Sequence, residues 1–260
     1  MLQAKVFIDR VLALFSPLAA ALLLQLSSAD TLHAQEHGWG DTWTGVRSQR
    51  EREKQDLSGQ VIHEVQAKQY AKAEQHIAEA AQRSPDDVRV RIWSAAAHLA
   101  MHRYDAALSD CAVAMDLMQK QEPKALGEVY LARAHVYNAM GNAKASRADF
   151  ERAVHIDRGN AEFNNDLAWF LATSPDAAVR DGQLAVRYAK AANELVGTPD
   201  AGTIDTLAAA EAEAGQFDLA AKYERQALSL AKGNKLRGGD KRLRLFENHQ
   251  AFREDVKNEN

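Results

Sequence analysis

Small residues recur at a nearly fixed spacing through most of the chain, and this repeat limits the fold more than any other feature. Each repeat copy has three positions for a small residue, which we call slots. The third slots of successive copies lie 34, 39, 39 and 35 residues apart. The slots are, in chain order, Val61, Ala73 and Ala80; Ala95, Ala107 and Ala114; Ala134, Ser146 and Ala153; Ala168, Ala185 and Ala192; and Ala208, Ala220 and Ala227. A small residue at a crossing lets two helices approach closely. Two helices joined by a turn form a hairpin, and a single hairpin leaves an apolar face that the next hairpin covers. The sequence therefore predicts a stacked array of five helix–turn–helix units.

The turns and the composition agree with this prediction. Gly141 and Gly215 fall between the two helices of the third and fifth copies. The fourth copy has an extra loop over residues 173–182, where Ser174 and Pro175 give a turn signal. Only 14 glycines, five prolines and 7% aromatic residues accompany abundant Ala, Leu, Glu, Gln and Arg, a composition that favours helix over strand.

The period and the small slots resemble those of the tetratricopeptide repeat family. The resemblance covers about residues 54–232, with copies at about 54–87, 88–121, 127–160, 161–200 and 201–234. The signature tryptophan of the family is missing from every copy, and only Pro85 stands at the proline position that usually closes a repeat. The resemblance implies an all-α fold, a helix–turn–helix array wound into a right-handed superhelix and followed by a C-terminal capping helix.

The chain after the array is predicted to be a linker, a capping helix and a tail over residues 235–260. Leu243, Phe246 and Phe252 have near-helical spacing, which favours a final helix that covers the exposed face of the last hairpin. Several basic residues lie here, and we expect them to form a solvated face rather than a nucleic-acid site. They are Lys235, Arg237, Lys241, Arg242 and Arg244.

Residues 1–34 have the three parts of a secretory signal. Two basic residues precede an apolar run over residues 11–26, and small residues follow at its exit. We expect export to the periplasm or the extracellular space, with cleavage after Ala29 or Ala34. The alternative is an uncleaved membrane anchor, although the run is shorter than the ~20 apolar residues of a spanning helix. A flexible linker is predicted over residues 35–53.

The net charge and the cysteine content exclude some classes of function. A formal charge of −4 and a pI near 6.1 give no global attraction to nucleic acid or to anionic membranes. Cys111 is the only cysteine, so the chain has neither an intramolecular disulfide nor a cysteine-rich metal site. Its place in the repeat predicts a buried, inert thiol.

No pattern in the sequence indicates catalysis, a cofactor or a metal. His98 and His102 have the i, i+4 spacing of two metal ligands, but the segment HLAMH lacks both the glutamate of a zinc-protease helix and a third ligand nearby. The repeat phase places His102 in a turn. The sequence contains no phosphate-binding glycine loop and no G-x-S-x-G nucleophile turn. We therefore predict that the protein is not an enzyme.

The resemblance also implies a binding surface, because the first helices of such an array line its concave groove. The positions concerned are Arg89, Ile92, Glu128, Leu131, His135, Asn138, Asn165, Trp169 and Asp205. Two interpretations of Trp169 stay open: it packs against the third copy as core, or it anchors a partner side chain beside the amides of Asn138 and Asn165. The predicted function is a scaffold for a protein or peptide of the cell envelope. The alternative is an accessory subunit that docks a larger envelope complex through its convex face or its termini.

Overall fold

The structure is a computed structural model, and it describes residues 57–118, 126–231, 236 and 238–254. All regular secondary structure in these ranges is helical, which confirms the predicted all-α class. The predicted signal, the linker after it and the end of the chain beyond residue 254 lie outside the described residues. None of the described helices is long and apolar enough to span a lipid bilayer. The chain divides into two compact units, an N-terminal and a C-terminal one, on either side of the gap at residues 119–125.

Two helical hairpins make up the described part of the N-terminal unit. Its helices are α1 (57–66), α2 (Tyr70–Arg83), α3 (Val88–Ala100) and α4 (Tyr104–Met118). Helix α3 packs against both α2 and α4. The start of α3 is capped by Asp87, whose side chain accepts a hydrogen bond from the backbone N–H of Arg89 at 3.0 Å.

Three hairpins and a final helix make up the described part of the C-terminal unit. Its helices are α5 (Leu126–Ala139), α6 (Ala143–Ile156), α7 (Ala161–Thr173), α8 (Gly182–Val196), α9 (Ala201–Glu213), α10 (Phe217–Leu230) and α11 (Gly239–Glu247). Each of these helices packs on the next one along the chain, and α7 also packs on α9. The contact between α7 and α9 brings the first helices of the last two hairpins side by side. A short 3-10 helix, Ala177–Val179, occupies the extra loop between α7 and α8.

The small-residue slots of the repeat are buried in every hairpin. None of these side chains exposes more than 2% of its surface. Ser146 takes the place of alanine in the third copy, and its hydroxyl donates a hydrogen bond to the carbonyl oxygen of Ala134 at 2.9 Å. Its polar group is therefore satisfied inside the hairpin. The prediction that these positions lie where helices meet is confirmed within each unit.

The turns between paired helices use residues with a left-handed backbone. Gly141 and Gly215 have φ values of 76° and 79° in the third and fifth hairpins. Lys68 and His102 adopt φ values of 58° and 59° in the turns of the first two hairpins, although a side chain makes this conformation costly. His102 thus lies in a turn, as the repeat phase predicts.

The final helix packs on α10 as predicted, but it ends before Phe252. Phe246 anchors this helix and is completely buried. His249 has a φ of 56°, and the backbone N–H of Gln250 donates to the carbonyl oxygen of Leu245 at 2.8 Å, which closes the helix. The spacing of Phe252 therefore does not belong to a longer helix. Residues 250–254 continue without helical structure, and we call them the tail segment.

Candidate functional site

The two predicted groove residues of the N-terminal unit differ in exposure. Arg89 is exposed on α3, and its Nη2 lies 3.0 Å from Oδ2 of Asp87. Ile92 is only 7% exposed and belongs to the core. This part of the predicted surface therefore presents a charged side chain rather than an apolar one.

Helix α5 carries four predicted groove residues, and two of them are core residues. Glu128 is exposed and Asn138 is partly exposed, whereas Leu131 and His135 are buried. His135 Nε2 lies 2.9 Å from Asp166 Oδ2, and both side chains are 2% exposed. Because this buried pair joins α5 to α7, His135 holds two hairpins together instead of facing a ligand.

The remaining three groove residues, Asn165, Trp169 and Asp205, are all buried. The structure brings Trp169 and Asp205 together around Arg242 of α11. Arg242 Nε donates to Asp205 Oδ1 at 2.7 Å, and Arg242 Cζ lies 5.5 Å from the centroid of the Trp169 ring. Asn165 donates from Nδ2 to Asp166 Oδ1 at 3.2 Å, and its amide oxygen has no hydrogen-bond partner within the described ranges. Asn138, on α5, has no part in this cluster.

The tail segment covers Trp169. The indole Nε1 donates a buried hydrogen bond to Glu254 Oε1 at 3.0 Å, and the centroid of the Phe252 ring lies 6.0 Å from that of the indole. Glu254 is itself only 7% exposed. Neither sequence interpretation of Trp169, as partner anchor or as a contact with the third copy, includes this segment of the same chain.

Further contacts fix the tail segment along the C-terminal ends of α7 and α9. The backbone N–H of Glu254 donates to the carbonyl oxygen of Thr173 at 2.9 Å. Arg253 Nη2 lies 2.5 Å from Glu213 Oε2. The last carbonyl groups of a helix have no partner inside the helix, so the passing backbone satisfies one of those of α7.

Arg242 and two carboxyl groups form a buried charge cluster next to the tail segment. Arg242 is 1% exposed, and its Nε lies 3.5 Å from Glu224 Oε1 in addition to its bond with Asp205. Burial raises the pKa of Glu224 to about 9, and the negative charge of Asp205 adds to this effect. Burial also raises the pKa of Asp205, against the attraction of Arg242. The expectation of a solvated basic face is wrong for Arg242, because carboxyl groups and aromatic rings surround it.

The sequence analysis missed Arg242, Phe252 and Glu254 as residues of this site. Arg242 and Asp205 lie 37 residues apart, and Trp169 and Glu254 lie 85 residues apart, so no local spacing reports either pair. One signal is present in the sequence. Asp205 is an acidic residue within the repeat array, and a carboxylate that becomes buried there requires a cationic partner.

His98 of α3 and His102 of the following turn are both engaged by neighbouring side chains; His102 Nδ1 lies 3.1 Å from the hydroxyl oxygen of Tyr104. His98 Nδ1 lies 2.7 Å from Asp110 Oδ2, and His98 Nε2 lies 3.3 Å from Glu74 Oε2. Burial lowers the pKa of His98, but the hydrogen bond and the charge of Asp110, together with Glu74, outweigh it, so the pKa is raised. No group of three or more metal-binding side chains occurs among the residues that the structure describes. Cys111 is buried, as predicted.

Comparisons with known proteins agree with this architecture. A tetratricopeptide repeat family model matches residues 64–126. The chain is similar to the crystal structure of a thermophilic tetratricopeptide repeat protein from Thermus thermophilus, with a TM-score of 0.56 and 16% identity over 75% of this chain and 98% of that one. No curated protein gives a match. Proteins with this fold are generally non-catalytic and mediate protein–protein interaction. The matched repeat, the stacked hairpins with their buried small slots and the shared fold together support a tetratricopeptide repeat architecture for this chain.

Proposed function

We propose that the protein is an exported, non-catalytic scaffold that binds a peptide or protein of the cell envelope through the first-helix face of its hairpins. The tail segment carries this proposal, because it is a non-helical peptide seated on α7 and α9 through Trp169 and Glu213. A repeat surface that holds one peptide backbone and its side chains is suited to hold another.

Each unit also has an exposed charged residue at a predicted groove position. Arg89 on α3 and Glu128 on α5 are both exposed. Interaction surfaces commonly combine a few buried apolar anchors with an exposed polar rim. We assign Arg89 and Glu128 to polar contacts with the partner.

The proposed location depends on the sequence of residues 1–34 alone. Their basic start, apolar run and small-residue exit are typical of a secretory signal. An exported scaffold meets proteins of the envelope, and these are therefore the partners that we propose.

In-cell crosslinking of the full chain, followed by affinity capture from the envelope fraction and mass spectrometry, tests the proposal. We expect Arg89→Ala and Glu128→Ala each to reduce recovery of the partner several-fold without lowering the melting temperature. Lys222→Ala is the matched control, because Lys222 is exposed on α10, a second helix. In the opposite result, Lys222→Ala loses the partner and both groove variants retain it. The partner then binds the second-helix face that carries Lys222. That result supports the accessory-subunit alternative and rejects the groove.

A further inference from the structure

We propose that α7, α9 and α11 form a recognition site for a peptide that carries an aromatic residue and, two positions later, a carboxylate. The tail segment occupies this site as a competing ligand from the same chain. The inference rests on the proposed scaffold function and gives it a class of ligand. We call the site the aromatic–acidic site, and its side chains are Trp169, Glu213, Lys241 and Arg242.

The site recognises side chains as well as backbone. The Phe252 ring lies against the indole of Trp169, with Arg242 Cζ at 5.7 Å and Lys241 Nζ at 6.0 Å from its centroid. Aromatic rings attract both neighbouring rings and cations placed near them. Two positions later, Glu254 accepts the hydrogen bond of the same indole. The pattern selected is therefore an aromatic residue and, two positions later, an acidic residue; in the tail segment the residue between them, Arg253, pairs with Glu213.

Contacts that do not involve the tail segment hold Arg242 and Glu213 of the site in place. Arg242 is bonded to Asp205 at 2.7 Å, and Glu213 Oε1 accepts from Arg180 Nε at 3.0 Å. The indole of Trp169 projects from the middle of α7, which packs on both α8 and α9. Arg242 and Glu213 therefore keep these partners when the tail segment leaves, and a preorganised site binds its ligand at a lower entropic cost.

The tail segment is held less firmly than the helix before it. Phe246 of α11 is completely buried, whereas Ala251, Phe252 and Arg253 remain partly exposed and lie outside any helix. Because α11 tethers the tail segment beside the site, its effective concentration there is on the order of millimolar. A peptide from another protein has to displace it, so the wild-type chain presents a largely occupied site.

Fluorescence anisotropy of a labelled peptide bound to the full chain tests this inference. The probe is a fluorescein-labelled peptide of sequence NHQAFREDV, which copies residues 248–256. The receptors are the wild-type chain and the double variant Phe252→Ala/Glu254→Gln, whose tail segment no longer competes. We expect the double variant to bind the probe at least about tenfold more tightly than the wild-type chain does. A second probe, NHQAARQDV, should bind to neither receptor.

Two further substitutions, each added to the double variant, distinguish a loss of peptide recognition from a loss of folding. Trp169→Phe keeps an aromatic ring but removes the N–H donor, so the affinity for NHQAFREDV should fall by about tenfold. Arg244→Ala changes an exposed residue of α11 and should leave the affinity unchanged. Circular dichroism melting of each variant shows that the compared chains are folded.

Hydrogen exchange of the wild-type chain gives a measurement that needs no variant to fold. Excess NHQAFREDV should accelerate exchange over residues 250–254, and NHQAARQDV should leave it unchanged. Equal affinities of the two receptors for the probe, equal binding of the two probes, or unchanged exchange would each overturn the aromatic–acidic site. If the Arg89 and Glu128 variants still lose their envelope partner in that case, the scaffold function stands and only this ligand class is rejected.

Discussion

At the scale of single residues, Glu224 shows how one buried group makes stability depend on pH. Its side chain is 0% exposed, and its pKa of about 9 keeps it protonated near neutral pH. In the unfolded chain the same carboxyl has its ordinary pKa of 4.5 and is ionised at neutral pH. The folded protein therefore binds the additional proton. The stability that this proton binding by Glu224 contributes is fully present below about pH 4.5 and is lost as the pH rises through about 9.

We expect Glu224→Gln to reduce this pH dependence, because glutamine has a similar shape and does not ionise. Between roughly pH 5 and pH 9, the free energy of unfolding of the variant should fall less than that of the wild type, by on the order of 1–3 kcal/mol. Denaturant unfolding at a series of pH values measures the difference. Glu247→Gln is the control, since Glu247 is an exposed partner of Arg225. Identical pH slopes for Glu224→Gln and the wild type would show that Glu224 is not the titrating group.

At the scale of elements, helix α11 and the tail segment have different tasks. The helix buries Phe246 against the last hairpin and places Arg242 between Asp205 and Glu224. The tail segment adds a partly exposed aromatic ring and a buried carboxylate to the surface of α7. Helix α11 contributes buried core to the C-terminal unit, whereas the tail segment lies over the surface of α7 and α9.

Two phenylalanine truncations distinguish these tasks. Phe246→Ala removes a completely buried ring and should destabilise the protein by about 3–5 kcal/mol. Phe252→Ala removes a partly exposed ring and should destabilise it by clearly less, because fewer contacts are lost. Thermal and denaturant unfolding followed by circular dichroism compare the two variants. Equal losses of stability would mean that the tail segment is part of the core and does not exchange.

The elements also show which features a sequence of this kind reveals. The buried slots, such as Ala208 and Ala220, were predictable because each repeat meets its neighbours in the same way and so keeps the same small residues. The tail contacts, such as Trp169 with Glu254, occur once and join distant parts of the chain. No period or spacing records a contact that occurs once, so the sequence did not reveal the segment that covers Trp169.

At the scale of the whole molecule, the protein that reaches its partners is predicted to be shorter than the translated chain. Removal of the signal at Ala29 or Ala34 leaves a mature protein that begins at Asp30 or Gln35. Intact-mass measurement of the protein from the exported fraction tests this prediction. A mass that still includes Met1, recovered with membranes, would support the anchored alternative and reject cleavage.

The position of α11 has a consequence for assembly. In the C-terminal unit, α7 packs on α6 and α9 packs on α8, and α11 takes the equivalent place on α10. A sixth hairpin, or the first hairpin of another copy, would need that same surface. A solenoid with an open end grows head to tail, because each added unit recreates the surface that binds the next one. Because α11 already occupies that surface, we expect no further hairpin to add to the C-terminal unit there.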